Sequence, residues 1–94
     1  MITHLNYGNN ENENWNVVSD CDSVYVSSVQ FDVEPVYDYL TIDGTRYTGS
    51  QSIDQMIRSR SFTVSFSSDM DTTSSGFILN WSCYQPTSGN LYYM

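Results

Sequence analysis

Three carboxylates, Glu34, Asp38 and Asp69, lie where two strand-like segments run into turns. In the segments FDVEPVYDYLTI and FTVSFSSDMDTTSSGF, apolar residues recur with the period of two that is typical of a half-buried strand. This alternation places Val33 on the inner face of its strand and Glu34 on the outer face. Carboxylates gathered at one edge of a sheet repel each other, and a hard divalent cation with oxygen ligands is the simplest way to neutralise them. The sequence therefore predicts a calcium-dependent binding module.

The elements that must position these carboxylates are strands, because no window of the chain has the periodicity of an amphipathic helix. Short strands with turn residues about every 8 to 12 positions are typical of an all-β, antiparallel two-sheet sandwich. The alternation slips in phase near Ser28, so that Val29, Phe31 and Val33 are expected to continue inward, and such a slip predicts a β-bulge. We predict one domain over residues 1–94, with its core over about 7–84 and a C-terminal tail over 85–94. Strands are predicted at 14–18, 21–34, 37–42, 46–48, 62–66 and 77–81, with a loop containing about one helical turn at 49–61.

The charge balance of the chain narrows its possible partners. Eleven acidic residues against three Arg and no Lys give a formal net charge of -8. Such a chain repels phosphates and has no basic patch, so we expect no binding to nucleic acid. We expect no membrane insertion, because no segment approaches the roughly 20 apolar residues that a spanning helix requires. Cations and basic protein segments are the expected partners. The alternative is that the acidity only keeps the protein soluble.

Two cysteines bear on the cellular compartment. Cys21 precedes the first long predicted strand and Cys83 ends the last one, and their positions match no CxxC-type metal motif. We predict a disulfide between them, with two free thiols as the alternative. A disulfide favours an oxidising, extracellular or cell-surface location. The opening residues MITHLNYG lack the basic and apolar regions of a signal peptide, so we expect one domain of a larger extracellular protein.

Five groups of residues, taken in order, resemble the CUB domain, a β-sandwich of secreted and cell-surface proteins. The resemblance covers most of the chain, from Tyr7 to Tyr84, and implies a CUB-like jelly roll. The family's four usual cysteines are absent, and Asn14 and Thr48 occupy two of their positions. The matching motifs are YGN at 7–9 with NWNV at 14–17, FDVE at 31–34, YDYLTI at 37–42, RYTG at 46–49, and FSSD at 66–69 with GF at 76–77.

The resemblance also implies a set of site residues. Calcium-binding members of the family hold the ion with a Glu and two Asp, which correspond here to Glu34, Asp38 and Asp69. A further ligand would come from the loop around Asp71 or Thr72, and the family's buttressing tyrosine corresponds to Tyr7. The segment between Glu34 and Asp38 is shorter than in the family, so Asp32 or Asp43 is an alternative to Glu34. The family implies a non-enzymatic role in adhesion, in which the calcium-bearing edge binds a protein partner through its Lys or Arg side chains.

Other functions are compatible with the same sequence. One is a carbohydrate-binding module that uses exposed aromatic residues and a structural calcium, and another is an oligomerising spacer or tip with an incidental acidic edge. We do not expect catalysis by the pair Asp69 and Asp71, because a compact sandwich rarely offers the sugar-sized cleft that glycoside hydrolysis needs. His4 is expected to be a solvated residue near a frayed end. Half-buried strand positions are expected for Tyr25, Tyr37 and Tyr39.

Overall fold

The protein is built from eight strands in two sheets that pack face to face. The computed structural model describes residues 1–84, and the predicted tail at 85–94 lies outside the described residues. Within residues 1–84, no helix is long and apolar enough to cross a lipid bilayer. The strands are β1 (Ile2–Leu5), β2 (Asn12–Val18), β3 (Val24–Asp32), β4 (Tyr39–Ile42), β5 (Thr45–Tyr47), β6 (Asp54–Ile57), β7 (Ser61–Ser67) and β8 (Gly76–Cys83).

The strand order is that of a jelly roll. Sheet one has the order β1-β8-β3-β6, and sheet two has the order β2-β7-β4-β5. All pairings are antiparallel, and the chain crosses between the sheets at every connection except the β4–β5 hairpin. Two interleaved four-stranded sheets of this kind form a double Greek key. The predicted all-β, antiparallel two-sheet sandwich is confirmed.

The core lies between the sheets and follows the predicted alternation. Phe62, Val64 and Phe66 of β7 are buried from sheet two, and Phe77 of β8 is buried from sheet one. The rings of Phe66 and Phe77 lie 5.3 Å apart between centroids, in a tilted arrangement. Burial of each such side chain contributes roughly 1.5–3 kcal/mol to folding. This core fixes the strands whose ends carry the acidic residues.

The long strand β3 contains the predicted bulge. Its register with β8 shifts between Ser28 and Gln30, so the extra residue is Val29. The prediction of a bulge is confirmed, but the expectation that Val29 points inward is wrong, because its side chain is 66% exposed. The bulge returns Phe31 and Val33 to the core and so sets the position of the residues after β3.

Two strands were not predicted from the sequence. Residues 49–61 were expected to form a loop with a helical turn, but β6 lies within them and pairs with β3. The segment has little alternation because β6 is a short edge strand with only Ile57 fully buried. The first strand, β1, was also missed, and it pairs with β8 from Ile2 to Leu5. The short β5 and its hairpin turn at Asp43 and Gly44 agree with the prediction.

The disulfide closes one end of the sandwich. Cys21 and Cys83 are bonded, with their Cα atoms 5.5 Å apart, across 62 positions of sequence. The bond joins the loop before β3 to the last residue of β8, where Val24 pairs with Cys83. Two exposed side chains, Arg60 and Asp22, form an ion pair of 2.9 Å at the same end. We call this region the disulfide end.

Candidate metal centre

The three predicted carboxylates meet at the opposite end of the sandwich. Glu34 lies two residues after β3, Asp38 immediately precedes β4, and Asp69 lies two residues after β7. The start of β4 is beside the end of β7, because Tyr39 pairs with Ser67. Each carboxylate offers one oxygen, and these oxygens lie within 4.8 Å of one another. We call this group of three the acidic cluster and the surrounding region the acidic end.

The turn from Glu34 to Asp38 brings two of the carboxylates together. Pro35 has no N–H to continue a strand ladder and stands at the beginning of the turn. The Asp38 N–H donates to the Glu34 carbonyl over 3.1 Å. The Thr48 hydroxyl donates to the Asp38 carbonyl over 2.6 Å and accepts from the Val36 N–H over 2.9 Å. The turn is therefore held by the segment after β5 as well as by its own main chain.

Asp38 is the buried member of the cluster, with no exposed surface. Its Oδ2 accepts a hydrogen bond of 2.6 Å from the Tyr7 hydroxyl, and its Oδ1 accepts one of 3.0 Å from the Asp69 N–H. The Tyr7 oxygen in turn accepts from the Glu34 N–H over 3.1 Å. Burial, and then the bond to Asp38, raise the pKa of Tyr7 to about 12. Tyr7 therefore contacts two of the three acidic residues, as the family resemblance implied.

The loop that carries Asp69 is anchored to the connection between β1 and β2. The Asn10 N–H donates to the Asp69 carbonyl over 2.7 Å. The buried Ser68 hydroxyl donates to the Gly8 carbonyl over 2.7 Å and accepts from the Glu11 N–H over 2.8 Å. Sequence reasoning missed this anchor, since residues 9–14 read only as a polar loop. The only hint of this anchor in the sequence is that Ser68, a side chain able to form hydrogen bonds, directly precedes Asp69.

His4 and Glu11 support the same connection. His4 Nε2 lies 2.5 Å from Glu11 Oε1, and the Gly8 N–H donates to Glu11 Oε2 over 2.6 Å. Burial would raise the pKa of Glu11, but the bonds from Gly8 and His4 outweigh it and lower the pKa. His4 is half-buried in β1, with its ring 5.7 Å from that of Trp15 and 5.5 Å from that of Phe66. The expectation of a solvated His4 is therefore wrong.

The acidic cluster has no positive partner within residues 1–84. The two ion pairs there join Arg60 to Asp22 and His4 to Glu11, and neither touches the cluster. Glu34 Oε1 is buried and has no hydrogen-bond partner. Loss of water, and then the charges of Asp69 and Asp38, raise the pKa of Glu34. Such an oxygen is costly to leave alone, so this site is built as one that a cation would complete.

The ligand types indicate which cation fits. The cluster contains only carboxylates, with no His or Cys. Zinc sites normally use nitrogen and sulfur, whereas calcium and magnesium take oxygen. Calcium accepts six to eight oxygens in flexible geometry, and magnesium demands near-ideal octahedral geometry. Three carboxylates on two separate loops suit a hard, oxygen-binding cation of this kind.

The other predicted ligands are Asp71 or Thr72 in the loop after Asp69, and Asp32 or Asp43 as alternatives to Glu34. The Asp71 N–H donates to Asp69 Oδ1 over 3.2 Å, so Asp71 shapes that loop. Thr72 lies close enough to Glu34 for its hydroxyl to offset part of the rise in the pKa of Glu34. The proposed substitutes for Glu34 are not in the cluster. Asp32 accepts from the Ser75 hydroxyl over 2.8 Å, and Asp43 lies in the β4–β5 turn.

Both loops around the cluster show backbone strain and exposed apolar side chains. Val36 has a φ of 75° and Thr72 a φ of 63°, in the left-handed region that β-branched residues rarely adopt. Strain of this kind concentrates at functional sites. Val36, Tyr37 and Met70 are 72%, 63% and 77% exposed, so the expectation of a half-buried Tyr37 is wrong. We call these three side chains the apolar rim.

Comparison with known proteins adds no family to this description. No model of a known protein family matches the chain, and no curated protein matches it either. The resemblance to CUB domains therefore depends on its short motifs and stays a prediction. Any functional conclusion must be argued from the acidic end itself.

Proposed function

We propose that this chain is a non-enzymatic, extracellular, CUB-like domain that binds Ca²⁺ at the acidic end and uses that end to bind a protein partner. Glu34, Asp38 and Asp69 supply the carboxylate ligands, and the loop at Asp71 and Thr72 supplies a further oxygen. The observation that carries the proposal is the convergence of three carboxylates within 4.8 Å, with no positively charged side chain of residues 1–84 paired to them. The unpartnered oxygen of Glu34 supports it independently.

The network around the cluster supports a cation that binds to a preformed site. Both oxygens of Asp38 already accept hydrogen bonds from Tyr7 and Asp69. A carboxylate oxygen has a second lone pair, so these bonds orient Asp38 without preventing it from binding a metal. Side chains held in this way lose less conformational entropy when the ion binds. Even so, an open site with few carboxylates belongs with the extracellular calcium modules, whose dissociation constants are roughly 10⁻⁴–10⁻³ M.

The charge balance supports a basic partner. Three carboxylates and one Ca²⁺ leave a net charge of about -1 at the site, which suits a Lys or Arg side chain. A charge-assisted hydrogen bond to such a group contributes roughly 1.5–3 kcal/mol. The protein as a whole carries a formal charge of -8, which also attracts basic segments over a distance. The disulfide supports an extracellular or cell-surface location, where such partners and millimolar calcium meet.

Calorimetric titration with calcium tests the metal site directly. We expect one site in the wild type and no measurable binding in Asp69→Ala. Asp22→Ala is the matched control, because it removes an exposed carboxylate at the disulfide end and should bind calcium like the wild type. Calcium at 100 times its dissociation constant should raise the free energy of unfolding by about 2.7 kcal/mol. A wild type that binds no calcium, or an Asp69→Ala variant that binds equally well, would contradict the proposal.

Synthetic peptides test the partner. A peptide with one central Lys should bind the calcium-loaded protein at least about tenfold more tightly than the same peptide with Gln, because one charge-assisted bond is lost. The preference for Lys should disappear in EDTA and in Asp69→Ala. Equal affinity for the two peptides in calcium would contradict the proposed basic partner, and only the metal site would remain.

A further inference from the structure

The outer face of sheet two differs from the rest of this acidic surface. Alternation turns Phe66 and Leu40 into the core, so their neighbours lie on the outer face. The register places Asn12 of β2, Ser67 of β7 and Tyr39 of β4 side by side across three strands. This first row offers an amide, an aliphatic hydroxyl and a phenol to solvent.

A second row lies two residues further along the strands. It runs from Asn14 through Ser65 and Thr41 to Arg46, across all four strands of the sheet. The Ser65 hydroxyl donates to Asn14 Oδ1 over 2.8 Å, which leaves the amide NH₂ of Asn14 free to donate outward. Asn14 and Arg46 are exposed, and Ser65 and Thr41 are half-buried. Two adjacent rows therefore present donors and acceptors side by side on the sheet.

Arg46 is the charged member of the face. Its guanidinium carbon lies 3.9 Å from the centroid of the Tyr39 ring, so the ring holds the flat cation across the junction of the two rows. Glu11 also lines the depression on this face, and its carboxylate already accepts from the Gly8 N–H and contacts His4. None of the eleven acidic residues of the chain stands in either row. A protein of charge -8 thus keeps both rows free of carboxylates and places one Arg there.

The face is also concave. A shallow depression of about 500 Å³ lies over the first row and the adjoining part of the second, between Asn12, Asn14, Tyr39 and Ser65. That volume is in the range of small-molecule binding sites. Besides Phe66 and Glu11, its walls are Asn, Ser and Tyr side chains, so it suits a ligand covered with hydroxyl groups. The Arg46 guanidinium beside it matches a carboxylate or sulfate.

We propose that this outer face binds a glycan that carries an acidic group. The sugar hydroxyls exchange hydrogen bonds with the Asn and Ser side chains of the two rows, and the acidic group pairs with Arg46. This site is separate from the acidic cluster, and it needs no calcium. It gives the chain a second binding surface that does not depend on the proposed metal function.

An array of oligosaccharides, read in EDTA, tests the proposal. The array contains neutral, uronic acid-bearing, sialylated and sulfated chains of matched length. We expect binding among the acidic chains and little or none to their neutral counterparts. Arg46→Gln should weaken the best acidic ligand by about tenfold or more, since it removes a charge-assisted pair. Asn14→Asp should abolish binding, because it adds a carboxylate to the lining of the depression.

Asn80→Asp is the matched control, because Asn80 is exposed on β8 of sheet one and the change adds the same charge elsewhere. It should bind the acidic ligand within about twofold of the wild type. Asp69→Ala should also bind normally, which separates this site from the acidic end. Absence of any bound glycan, or binding that survives Asn14→Asp, would overturn the proposal. Binding that requires calcium would assign the ligand to the acidic cluster instead.

Discussion

The two ends of this sandwich are stabilised in different ways. At the disulfide end, Cys21 and Cys83 are covalently joined, and the nearby Asp22 has Arg60 as its partner. At the acidic end, three carboxylates converge with no cation among residues 1–84 beside them. At the disulfide end, the cysteines and Asp22 each have a partner. At the acidic end, hydrogen bonds order the carboxylates but no positive side chain of the described residues balances them, and this difference is why we propose a binding site there.

The acidic end is nevertheless not loosely built. Tyr7, Ser68 and Thr48 tie its loops to one another through side-chain bonds of 2.6–2.8 Å. The bond from Tyr7 is to the Asp38 carboxylate, and hydrogen bonds to ionised groups are stronger than those between neutral groups. Structural order and charge balance are therefore separate properties of the two ends.

The largest expected effect is at the disulfide end. Replacing both cysteines, Cys21→Ser with Cys83→Ser, should lower the free energy of unfolding by about 4 kcal/mol, because a loop of this length is no longer closed in the unfolded chain. Urea denaturation measures the change. Calcium affinity should stay the same in the folded variant, since distant sites act independently. Loss of calcium binding with the fold intact would show that the two ends are coupled.

The next effect is at the acidic end. Asp38→Ala removes the acceptor of two buried donors, the Tyr7 hydroxyl and the Asp69 N–H, and should destabilise the calcium-free protein by about 2–4 kcal/mol. Tyr7→Phe is the matched variant, because it keeps the ring packed on Phe66 and the bond from the Asp69 N–H to Asp38, and removes the hydroxyl that bonds to Asp38 and to the Glu34 N–H. Its effect should be about 1–3 kcal/mol. Equal stability of Asp38→Ala and the wild type in EDTA would mean that carboxylate repulsion cancels the network.

A smaller effect depends on pH. The pKa of Glu11 is lowered in the folded protein, so Glu11 stabilises the fold at pH values above its unfolded pKa of about 4.3. That contribution is lost as the pH falls further through the folded pKa. The stability difference between wild type and Glu11→Gln should therefore be larger at pH 6 than at pH 3, both measured in EDTA. A difference that grows toward pH 3 would contradict the assignment.

The smallest effect is expected for the exposed ion pair. Arg60→Ala should change the free energy of unfolding by about 0.5 kcal/mol or less, because both side chains are mostly in solvent. The change should shrink further in 0.5 M salt, which screens exposed charges. A loss above about 1 kcal/mol would show that this pair, and not the disulfide alone, holds the end together.

Sequence patterns predicted the strands that bury continuous apolar stripes. The alternation of Phe62, Val64 and Phe66 identified β7, and the phase slip near Ser28 identified the bulge in β3. The family resemblance predicted that Glu34, Asp38 and Asp69 lie together. These features could be predicted because each depends on local periodicity or on a short motif.

What the sequence did not reveal depends on contacts between distant segments. β1 and β6 are short edge strands, so their pairing partners rather than their own residues decide that they are strands. The bonds from Ser68 to Gly8 and Glu11 span about 60 positions and leave no local pattern. The half-buried place of His4 among aromatic rings follows from the pairing of β1 with β8.

The apolar rim has a consequence for selectivity. Val36, Tyr37 and Met70 stand exposed on the two loops that carry the acidic cluster. A lysine side chain that reaches the proposed site would pack its four methylene groups against the apolar rim while its ammonium group contacts the carboxylates. Free ammonium ions and short amines have no such stem and gain nothing from the rim. The acidic end would therefore select a cationic side chain by its length as well as by its charge.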